Sequence, residues 1–263
     1  MDCIISIELG TNAVRVYAFD LQGQIIGFAK GTYPTFHPYP DYSEQDPEQI
    51  FITMLYVLKN LLNEKIHSKK HKVVSMCFSA SMHSLLAVDK GGAPLGNLIT
   101  WADNRGQKEA GALQGSSMAE EIYKATGTPI HPMSPLVKIV WMKNQRPDVF
   151  AQTAKFMSLK SYIIQQLTGQ VILDHSLASA TGLMNIYKKE WDPVALAYAG
   201  IRADRAAGTG AHQLLSGKTV ESVSGLAGSA GGDENTCRLQ RRLFCNVGRR
   251  GVGPAQGDDH DRG

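Results

Sequence analysis

A change in composition near residue 201 sets the outer limit on what this chain can fold into. Residues 1–201 hold 15 lysines, 3 arginines and 14 glycines, whereas the much shorter stretch 202–263 holds 1 lysine, 8 arginines and 12 glycines. The second stretch also lacks helical or alternating apolar periodicity. We therefore expect the folded domain in residues 1–201 and an atypical Gly/Arg-rich tail in residues 202–263.

Three explanations of the tail stay open: a flexible segment, an RNA-binding segment and an out-of-frame reading of the gene. RNA binding is the weakest, because seven carboxylates offset the nine basic groups of the tail. The out-of-frame explanation is favoured, since an abrupt exchange of lysine for arginine and glycine is typical of GC-rich codons read in the wrong register. Suitable codons for residues 240–243, read one base later, spell Asn-Asp-Gly-Cys.

The overall composition is typical of a soluble globular protein. Hydrophobic residues make up 43% of the chain, charged residues 19%, and the formal net charge is +3. These values exclude a wholly disordered chain and a strongly basic nucleic-acid binder, and no apolar run reaches the roughly 20 residues of a membrane span. Cys3, Cys77, Cys237 and Cys245 form no CxxC pair and no secretion signal is visible, so we expect reduced thiols and a cytoplasmic location.

The first 80 residues predict strands before helices. Ile4–Ile7, Val14–Phe19 and Ile25–Thr32 are short β-branched runs separated by turn residues, which predicts two hairpins. Asp46-Pro47-Glu48 then begins an amphipathic helix that extends to Ile66. A buried strand at Val73–Phe78 follows.

Helical patterns dominate the next hundred residues. Before them, Leu85–Val88 and Leu98–Trp101 predict a further hairpin. The helices are predicted at residues 107–113, 118–125, 136–144, 147–153 and 159–167. Strands followed by alternating helix and strand indicate an α/β domain with a mixed sheet.

Two segments near the predicted strand ends carry polar groups suited to ligand binding, and the first of them suits phosphate. The turn Gly10-Thr11-Asn12 directs backbone N–H groups and a hydroxyl outward, and Arg15 adds positive charge. An ordinary β-hairpin is the equal alternative. The polar cluster Ser79, Ser81, His83 and Ser84 follows a buried strand, at the end of the sheet where α/β proteins bind ligands.

Of two further segments, the first suits a polyhydroxylated ligand, and the second is either a loop that shapes a pocket or only a connector. Trp101, Asp103 and Arg105 offer a stacking surface, a carboxylate and a guanidinium within five residues, with an exposed Asp103–Arg105 pair as the alternative. Three prolines stiffen the loop before the helix at 136–144, where His131 and Lys138 are weaker candidates.

Taken in order, these segments resemble the N-terminal half of the FGGY family of carbohydrate kinases, over about residues 4–201. IELGTNAVRVYAFD resembles the family's first phosphate loop, DxGTTxxR/K, and DYSEQDPEQI its acidic Glu-Gln-Asp-Pro segment. SMHSLLAVD and LITWADNR are similar to its sugar-binding stretches, and residues 158–186 to the helix and strand that close its first lobe. Met-His-Ser at 82–84, TWADNR at 100–105 and TGTPIHPMSP at 126–135 resemble gluconokinases more than xylulokinases or glycerol kinases.

The resemblance implies an actin-like ATPase (ribonuclease H-like) α/β fold, represented by its N-terminal lobe with a mixed sheet and flanking helices. It implies phosphoryl transfer from ATP, with Mg²⁺, to D-gluconate to give 6-phosphogluconate, with a xylulokinase-like or other polyol kinase as the alternative. The implied partners are a small-molecule sugar acid and ATP, without nucleic acid or membrane, and the full-length family member would allow a homodimer.

The same resemblance implies roles residue by residue. The positions that match the phosphate-binding residues are Gly10, Thr11, Asn12 and Arg15. The positions that match the substrate-binding residues are Met82, His83, Trp101, Asp103 and Arg105.

Departures from the family pattern limit what the chain is expected to do. Glu8 stands where the family has its first-strand aspartate, and the longer side chain is expected to weaken the placement of the metal. Glu8 is still a candidate metal-shell residue. The alternative is a strand glutamate that binds no ligand. The family's catalytic aspartate has no match in this chain. Asp233 is the nearest candidate, but its neighbours differ from those of the family's segment, so no catalytic residue is assigned. With the C-terminal lobe absent, we expect little or no kinase activity, and a non-catalytic sugar-binding fragment or a pseudogene product is a further alternative.

Overall fold

The computed structural model describes residues 1–210 and 214–216. The strands are β1 (Asp2–Leu9), β2 (Ala13–Asp20), β3 (Ile25–Thr32), β4 (Glu44–Gln45), β5 (Lys72–Ala80), β6 (Leu86–Val88), β7 (Leu98–Ile99), β8 (Lys155–Met157), β9 (Ile172–Asp174), β10 (Met184–Asn185), β11 (Glu190–Trp191), β12 (Gly208–Gly210) and β13 (Leu214–Ser216). The α-helices are α1 (Pro47–Leu61), α2 (Gln107–Gln114), α3 (Met118–Thr126), α4 (Pro135–Gln145), α5 (Pro147–Gln152), α6 (Leu159–Thr168), α7 (His175–Ser179) and α8 (Pro193–Ala199). None of the helices in these residues is both long and apolar enough to cross a membrane.

A mixed five-stranded sheet, in the order β13-β5-β1-β2-β3, carries the first part of the fold. β1, β2 and β3 are antiparallel neighbours, whereas β5 runs parallel to β1. Alternation along β1 buries Cys3, Ile5, Ile7 and Leu9. The two predicted hairpins and the mixed sheet are confirmed. Because β1 and β5 run in the same direction, their carboxyl ends meet at one edge of the sheet.

Helix α1 begins as its sequence predicts. The Asp46 side chain accepts hydrogen bonds from the backbone N–H groups of Glu48 at 2.8 Å and Gln49 at 3.2 Å, and proline follows it at the first helical position. A π-helical turn at Leu62–His67 continues the helix past its last α-helical residue. The helix packs closely on the sheet at Gly31, where a Cβ atom would lie only 2.6 Å from Val57.

The helical part of the chain has its own apolar core, built from residues of β6, β7, α2, α3, α4 and α8. The five predicted helices are confirmed as α2 to α6, within one residue at either end. The predicted hairpin of residues 85–88 and 98–101 is confirmed only in part: the Gly92 N–H donates to the Asp89 carbonyl at 3.0 Å in the expected turn, and Leu85 and Ile99 exchange backbone hydrogen bonds of 2.9 and 2.8 Å. β6 pairs with β8 and β7 pairs with β4, and only a bridge between Leu85 and Ile99 joins the two segments directly. β6 is buried and apolar throughout, so tertiary partners replace the local hairpin partner.

Regular structure continues past residue 201. β12 pairs in parallel with β9, and β13 pairs antiparallel with β5. The first residues of the predicted tail therefore contribute to strand pairing. The rest of that prediction, including Asp233, Cys237, Cys245 and residues 240–243, lies outside the described residues and stays a prediction.

Candidate functional site

The turn between β1 and β2 forms the centre of the site. The Gly10 N–H donates to the Ala13 carbonyl at 3.0 Å and closes the turn. Glu8 and Arg15 lie directly opposite each other on the two strands, and Arg15 Nη1 lies 3.0 Å from Glu8 Oε1. A carboxylate and a guanidinium therefore flank the turn. Both remain partly exposed, with 42% of the Glu8 side chain and 31% of the Arg15 side chain open to solvent.

Three side chains from other segments hold this turn from the protein side. The Tyr33 hydroxyl donates to the Gly10 carbonyl at 2.5 Å, and Gln45 Nε2 donates to the Thr11 carbonyl at 2.5 Å. Trp101 Nε1 donates to Thr11 Oγ1 at 3.2 Å. Because an indole N–H only donates, Thr11 Oγ1 is the acceptor in this bond and its own hydrogen can donate to another oxygen.

Tyr33 is suited to its supporting role. Its ring is buried, and burial raises the pKa of the hydroxyl above its ordinary value. The hydroxyl therefore keeps its proton and donates to the Gly10 carbonyl across the physiological range.

An open cleft of about 330 Å³ lies where β1 and β5 end. The backbone of Ser81, just after β5, donates to the Leu9 carbonyl at 3.0 Å and joins the two strand ends. All four predicted phosphate-binding residues and the predicted metal-shell residue line this one cleft. Its lining residues are Glu8, Leu9, Gly10, Thr11, Asn12, Arg15, Ser79, Ala80 and Ser81.

The cleft fits a nucleotide-bound magnesium ion better than an ion held by protein alone. Glu8 is the only carboxylate among the described residues that line it. In the described part of the chain, no three His, Cys, Asp or Glu side chains gather in a way that would hold a metal. Mg²⁺ is usually bound through one or two carboxylates together with substrate phosphates and water. A single carboxylate beside backbone N–H groups and a hydroxyl matches that pattern.

Met82 and His83 follow the cleft directly in the chain. The Met82 side chain is exposed, and the His83 backbone adopts a left-handed conformation with φ 62°. His83 Nδ1 donates to the Ala180 carbonyl at 2.7 Å. Burial lowers the pKa of His83, so the ring is neutral at pH 7 and Nε2 is left as an acceptor.

Trp101, in the second segment that resembles a sugar-binding stretch, contacts the turn at residues 10–12. It follows β7, and 45% of its surface is exposed beside Thr11. The indole thus offers an apolar ring face near the cleft while its N–H is held by the turn.

Asp103 and Arg105 point inward, although the resemblance implies that both face the substrate. Asp103 is fully buried. Its Oδ1 accepts from Arg105 Nε at 2.8 Å, and its Oδ2 accepts from Arg105 Nη2 at 2.8 Å and from the Ser43 N–H at 2.6 Å. The spacing of two residues lets the guanidinium fold back as a bidentate partner. The alternative of a solvent-exposed pair does not describe it either, because the Arg105 side chain is only 5% exposed.

Arg105 also anchors the acidic segment before α1. Its Nη2 lies 2.6 Å from Glu44 Oε1, and its guanidinium carbon lies 3.8 Å from the centre of the Tyr42 ring. Gln45, the next residue along, reaches the Thr11 carbonyl. Arg105 is therefore connected to the turn at residues 10–12 through the 42–45 segment.

Sequence reasoning missed one residue that supports the turn and identified another only indirectly. Nothing in the pattern distinguishes Tyr33 from a core aromatic residue. Gln45 lies in DYSEQDPEQI, where the resemblance marked the segment and not the residue. Lys138, a weak candidate from its loop, is fully buried beside the sugar-side segments, whereas His131 is exposed.

Comparisons with known proteins identify the family to which the chain belongs. A model described as the FGGY family of carbohydrate kinases, N-terminal domain, matches residues 3–228. A gluconokinase of Bacillus subtilis strain 168 is 37% identical over 201 residues, which cover 76% of this chain and 39% of that protein.

Two solved structures have the same fold over most of the chain. The gluconate kinase from Lactobacillus acidophilus matches with a TM-score of 0.77 and 28% identity, covering 84% of this chain and 45% of that one. The ligand-bound xylulose kinase from Lactobacillus acidophilus matches with a TM-score of 0.77 and 28% identity, covering 85% and 46%. The chain thus spans less than half the length of these relatives.

Proposed function

The chain belongs to the FGGY family of carbohydrate kinases, and from that premise we propose that it forms the phosphate-loop and sugar-binding part of an ATP-dependent sugar kinase. The observation that carries the proposal is the 3.2 Å hydrogen bond from Trp101 Nε1 to Thr11 Oγ1. Phosphoryl transfer requires the acceptor hydroxyl and the terminal phosphate to lie side by side and in line. The direct contact between the segment of Trp101 and the turn at residues 10–12 would place a bound sugar beside a bound phosphate, as this requirement demands.

On the phosphate side, the turn 10–12 binds phosphate oxygens through the Thr11 and Asn12 N–H groups and the Thr11 hydroxyl, since the Gly10 N–H closes the turn. Arg15 adds positive charge beside them, and its pairing with Glu8 fixes its direction. ATP with Mg²⁺ would supply the phosphoryl group, and Glu8 would be the residue beside the metal. The chain's own contribution is to hold the phosphates in place and to offset their charge.

On the sugar side, Met82 and Trp101 present apolar surface to the C–H face of a sugar. The neutral His83 ring accepts a hydrogen bond from a sugar hydroxyl through Nε2. Asp103 and Arg105 act behind these residues, because their polar atoms bind each other and the 42–44 segment. No residue of this chain is assigned as the base that takes the proton of the attacking hydroxyl.

The substrate that we propose is a sugar acid, D-gluconate, which would become 6-phosphogluconate. Support comes from the gluconokinase at 37% identity and from the TM-score of 0.77 to a gluconate kinase. D-Xylulose is the second candidate, because a ligand-bound xylulose kinase matches with the same TM-score of 0.77.

Calorimetric titration of the 263-residue chain with gluconate and with xylulose tests the proposal. We expect gluconate to bind more tightly than xylulose. Trp101→Phe should bind gluconate more weakly, because it keeps an aromatic ring but removes the indole N–H that orders Thr11. Trp191→Phe is the matched control, since it removes an indole bond of 3.0 Å to the Ala207 carbonyl, outside the lining of the cleft. Tighter binding of xylulose would favour the second candidate, and the binding of neither sugar would refute the proposal.

A further inference from the structure

Lys138 has an environment that its place in the core does not explain. Its side chain is fully buried on α4. Its Nζ donates to the carbonyls of His83 at 2.6 Å, Thr100 at 2.7 Å and Met133 at 2.8 Å. An ammonium has three N–H donors, so all of them are used within the protein.

Two of the three carbonyls belong to the segments that we propose for the sugar side, and the third belongs to the proline-stiffened loop before α4. His83 lies in the left-handed turn after β5, Thr100 precedes Trp101, and Met133 lies in the proline-stiffened loop before α4. These segments are far apart in the sequence. A single buried ammonium therefore fixes the distances between them.

Packing alone does not require a charge at this position. A methionine has a similar length and avoids the desolvation of an ammonium, which is costly unless every donor is satisfied. The retained charge is matched instead by three converging carbonyl oxygens.

We propose that Lys138 is the positioning residue of the sugar side, whose protonated side chain clamps the segments of His83, Trp101 and Met133 in the geometry that binds a sugar acid. The clamp itself is a property of the described residues, whereas its coupling to a sugar acid rests on the proposed function. Lys138 would not touch the substrate, because its donors are already used.

The clamp should depend on pH. Burial lowers the pKa of Lys138 to about 7, against its ordinary value of 10.5, and nearby Asp103 opposes that change while Arg105 adds to it. The other charged or titratable groups that face this region are His83 and His131. A neutral amine has only two N–H donors, so one of the three carbonyls loses its partner when Lys138 releases its proton.

Hydrogen exchange of the unliganded chain tests the clamp without any substrate. We expect Lys138→Met to lower amide protection about tenfold or more in residues 82–85, 100–103 and 131–134, and to leave β1 unchanged. Lys143→Met, which removes an exposed lysine from the same helix, is the matched control. Unchanged protection in the three segments would overturn the proposal.

The wild-type chain provides a test that does not depend on a variant that folds. Between pH 7 and 8.5, protection of the same three segments should rise relative to β1, because opening them exposes Lys138, whose pKa then returns from about 7 toward 10.5 so that the side chain takes up a proton. His131→Asn should keep this pH profile, since its amide oxygen can replace Nδ1 as the acceptor for the Met133 N–H. A profile that disappears in His131→Asn, or that is flat in the wild-type chain, would refute the assignment to Lys138.

Gluconate titration then tests the coupling. The dissociation constant of the wild-type chain should rise above pH 7 by up to about tenfold per pH unit, as expected for one linked proton. If gluconate fails to bind at any pH while the exchange results hold, the proposed substrate is wrong and the clamp stands. If gluconate binds with the same affinity from pH 6 to 8.5, the coupling is wrong.

Discussion

The two sides of the site treat charge in opposite ways. On the phosphate side, Glu8 and Arg15 form an ion pair whose side chains are 42% and 31% exposed. On the sugar side, Asp103 and Lys138 are fully buried, and the Arg105 side chain is 5% exposed. Partly solvated charges can exchange partners with an incoming anion at little cost, whereas desolvated charges fix their neighbours in place. The contrast indicates one surface that binds charge and one that is held rigid.

This difference also predicts where substitutions affect stability and where they affect binding. Removing one partner of a buried, fully bonded pair leaves the other charge without compensation. Removing one partner of a partly exposed pair lets water replace it. Substitutions on the sugar side should therefore change the free energy of unfolding, and those on the phosphate side should change ligand affinity.

The largest effect is expected for Asp103→Ala. The change leaves the Arg105 guanidinium buried without its bidentate partner and removes the acceptor of the Ser43 N–H. We expect a loss of about 3–5 kcal/mol in the free energy of unfolding, measured by urea denaturation. Asp148→Ala is the matched control, because Asp148 forms an exposed pair with Arg146 at 3.2 Å and should leave the midpoint unchanged. Equal effects of the two substitutions would remove the distinction between buried and exposed charge pairs on which the comparison rests.

The next effect is a pH dependence of stability that comes from Lys138. The pKa of about 7 in the folded chain lies below the ordinary 10.5, so between these values the unfolded chain binds more protons. The free energy of unfolding should therefore rise with pH above 7, by at most about 1.4 kcal/mol per pH unit from this group. Urea denaturation at pH 7, 8 and 9 measures the slope.

Two lysine variants separate this slope from the other titrating groups. Lys138→Met should remove the contribution, and Lys143→Met should keep it. The sign is opposite to that expected for gluconate affinity, which should fall over the same range. Stability that falls with rising pH in the wild-type chain, and not in Lys138→Met, would contradict the stated direction.

The fold could be predicted from sequence further than the site could. Strand periodicity and the Asp46-Pro47-Glu48 signal depend on local geometry, so the hairpins and α1 were predictable. The pairing of residues 85–88 was not, because β6 finds β8 through burial and not through a turn. The local hydrophobic pattern of a strand does not reveal which distant strand it will pair with.

The same limit applies within the site. Residues 10–12 lie in one turn, so their common position in the cleft follows from local sequence. The sequence suggested either an anion-binding Arg105 or an exposed Asp103–Arg105 pair, and only the fold reveals that the pair is buried and that Glu44 joins it. Tyr33 and Lys138 act through backbone carbonyls, which every residue possesses, so no sequence pattern identifies their partners.

On the phosphate side, Gly10→Ala should reduce ligand affinity with little effect on stability. An added Cβ atom would lie 3.2 Å from the Ala13 carbonyl oxygen and 3.2 Å from Arg15 Nη1, so the turn and the guanidinium must both shift. We expect the affinity for Mg-ATP to fall about tenfold, which is about 1.4 kcal/mol. Gly96→Ala, where nothing lies within 4 Å of the new Cβ, is the matched control. Unchanged nucleotide affinity in Gly10→Ala would remove the turn from the phosphate site.

The smallest effect is expected for Glu8→Asp, which installs the residue that the family pattern has at this position. The shorter arm moves the carboxylate away from Arg15 Nη1, now 3.0 Å from Oε1, but the pair is partly exposed and its loss should cost less than about 1 kcal/mol of stability. Mg²⁺ demands near-ideal geometry, so a carboxylate at the family's distance should improve metal placement by a few-fold in affinity. Calorimetric titrations with ATP in the presence of Mg²⁺ and in EDTA separate the two contributions, because only the Mg²⁺ titration should tighten. Equal changes under both conditions would mean that residue 8 acts on the phosphates through Arg15 and not on the metal.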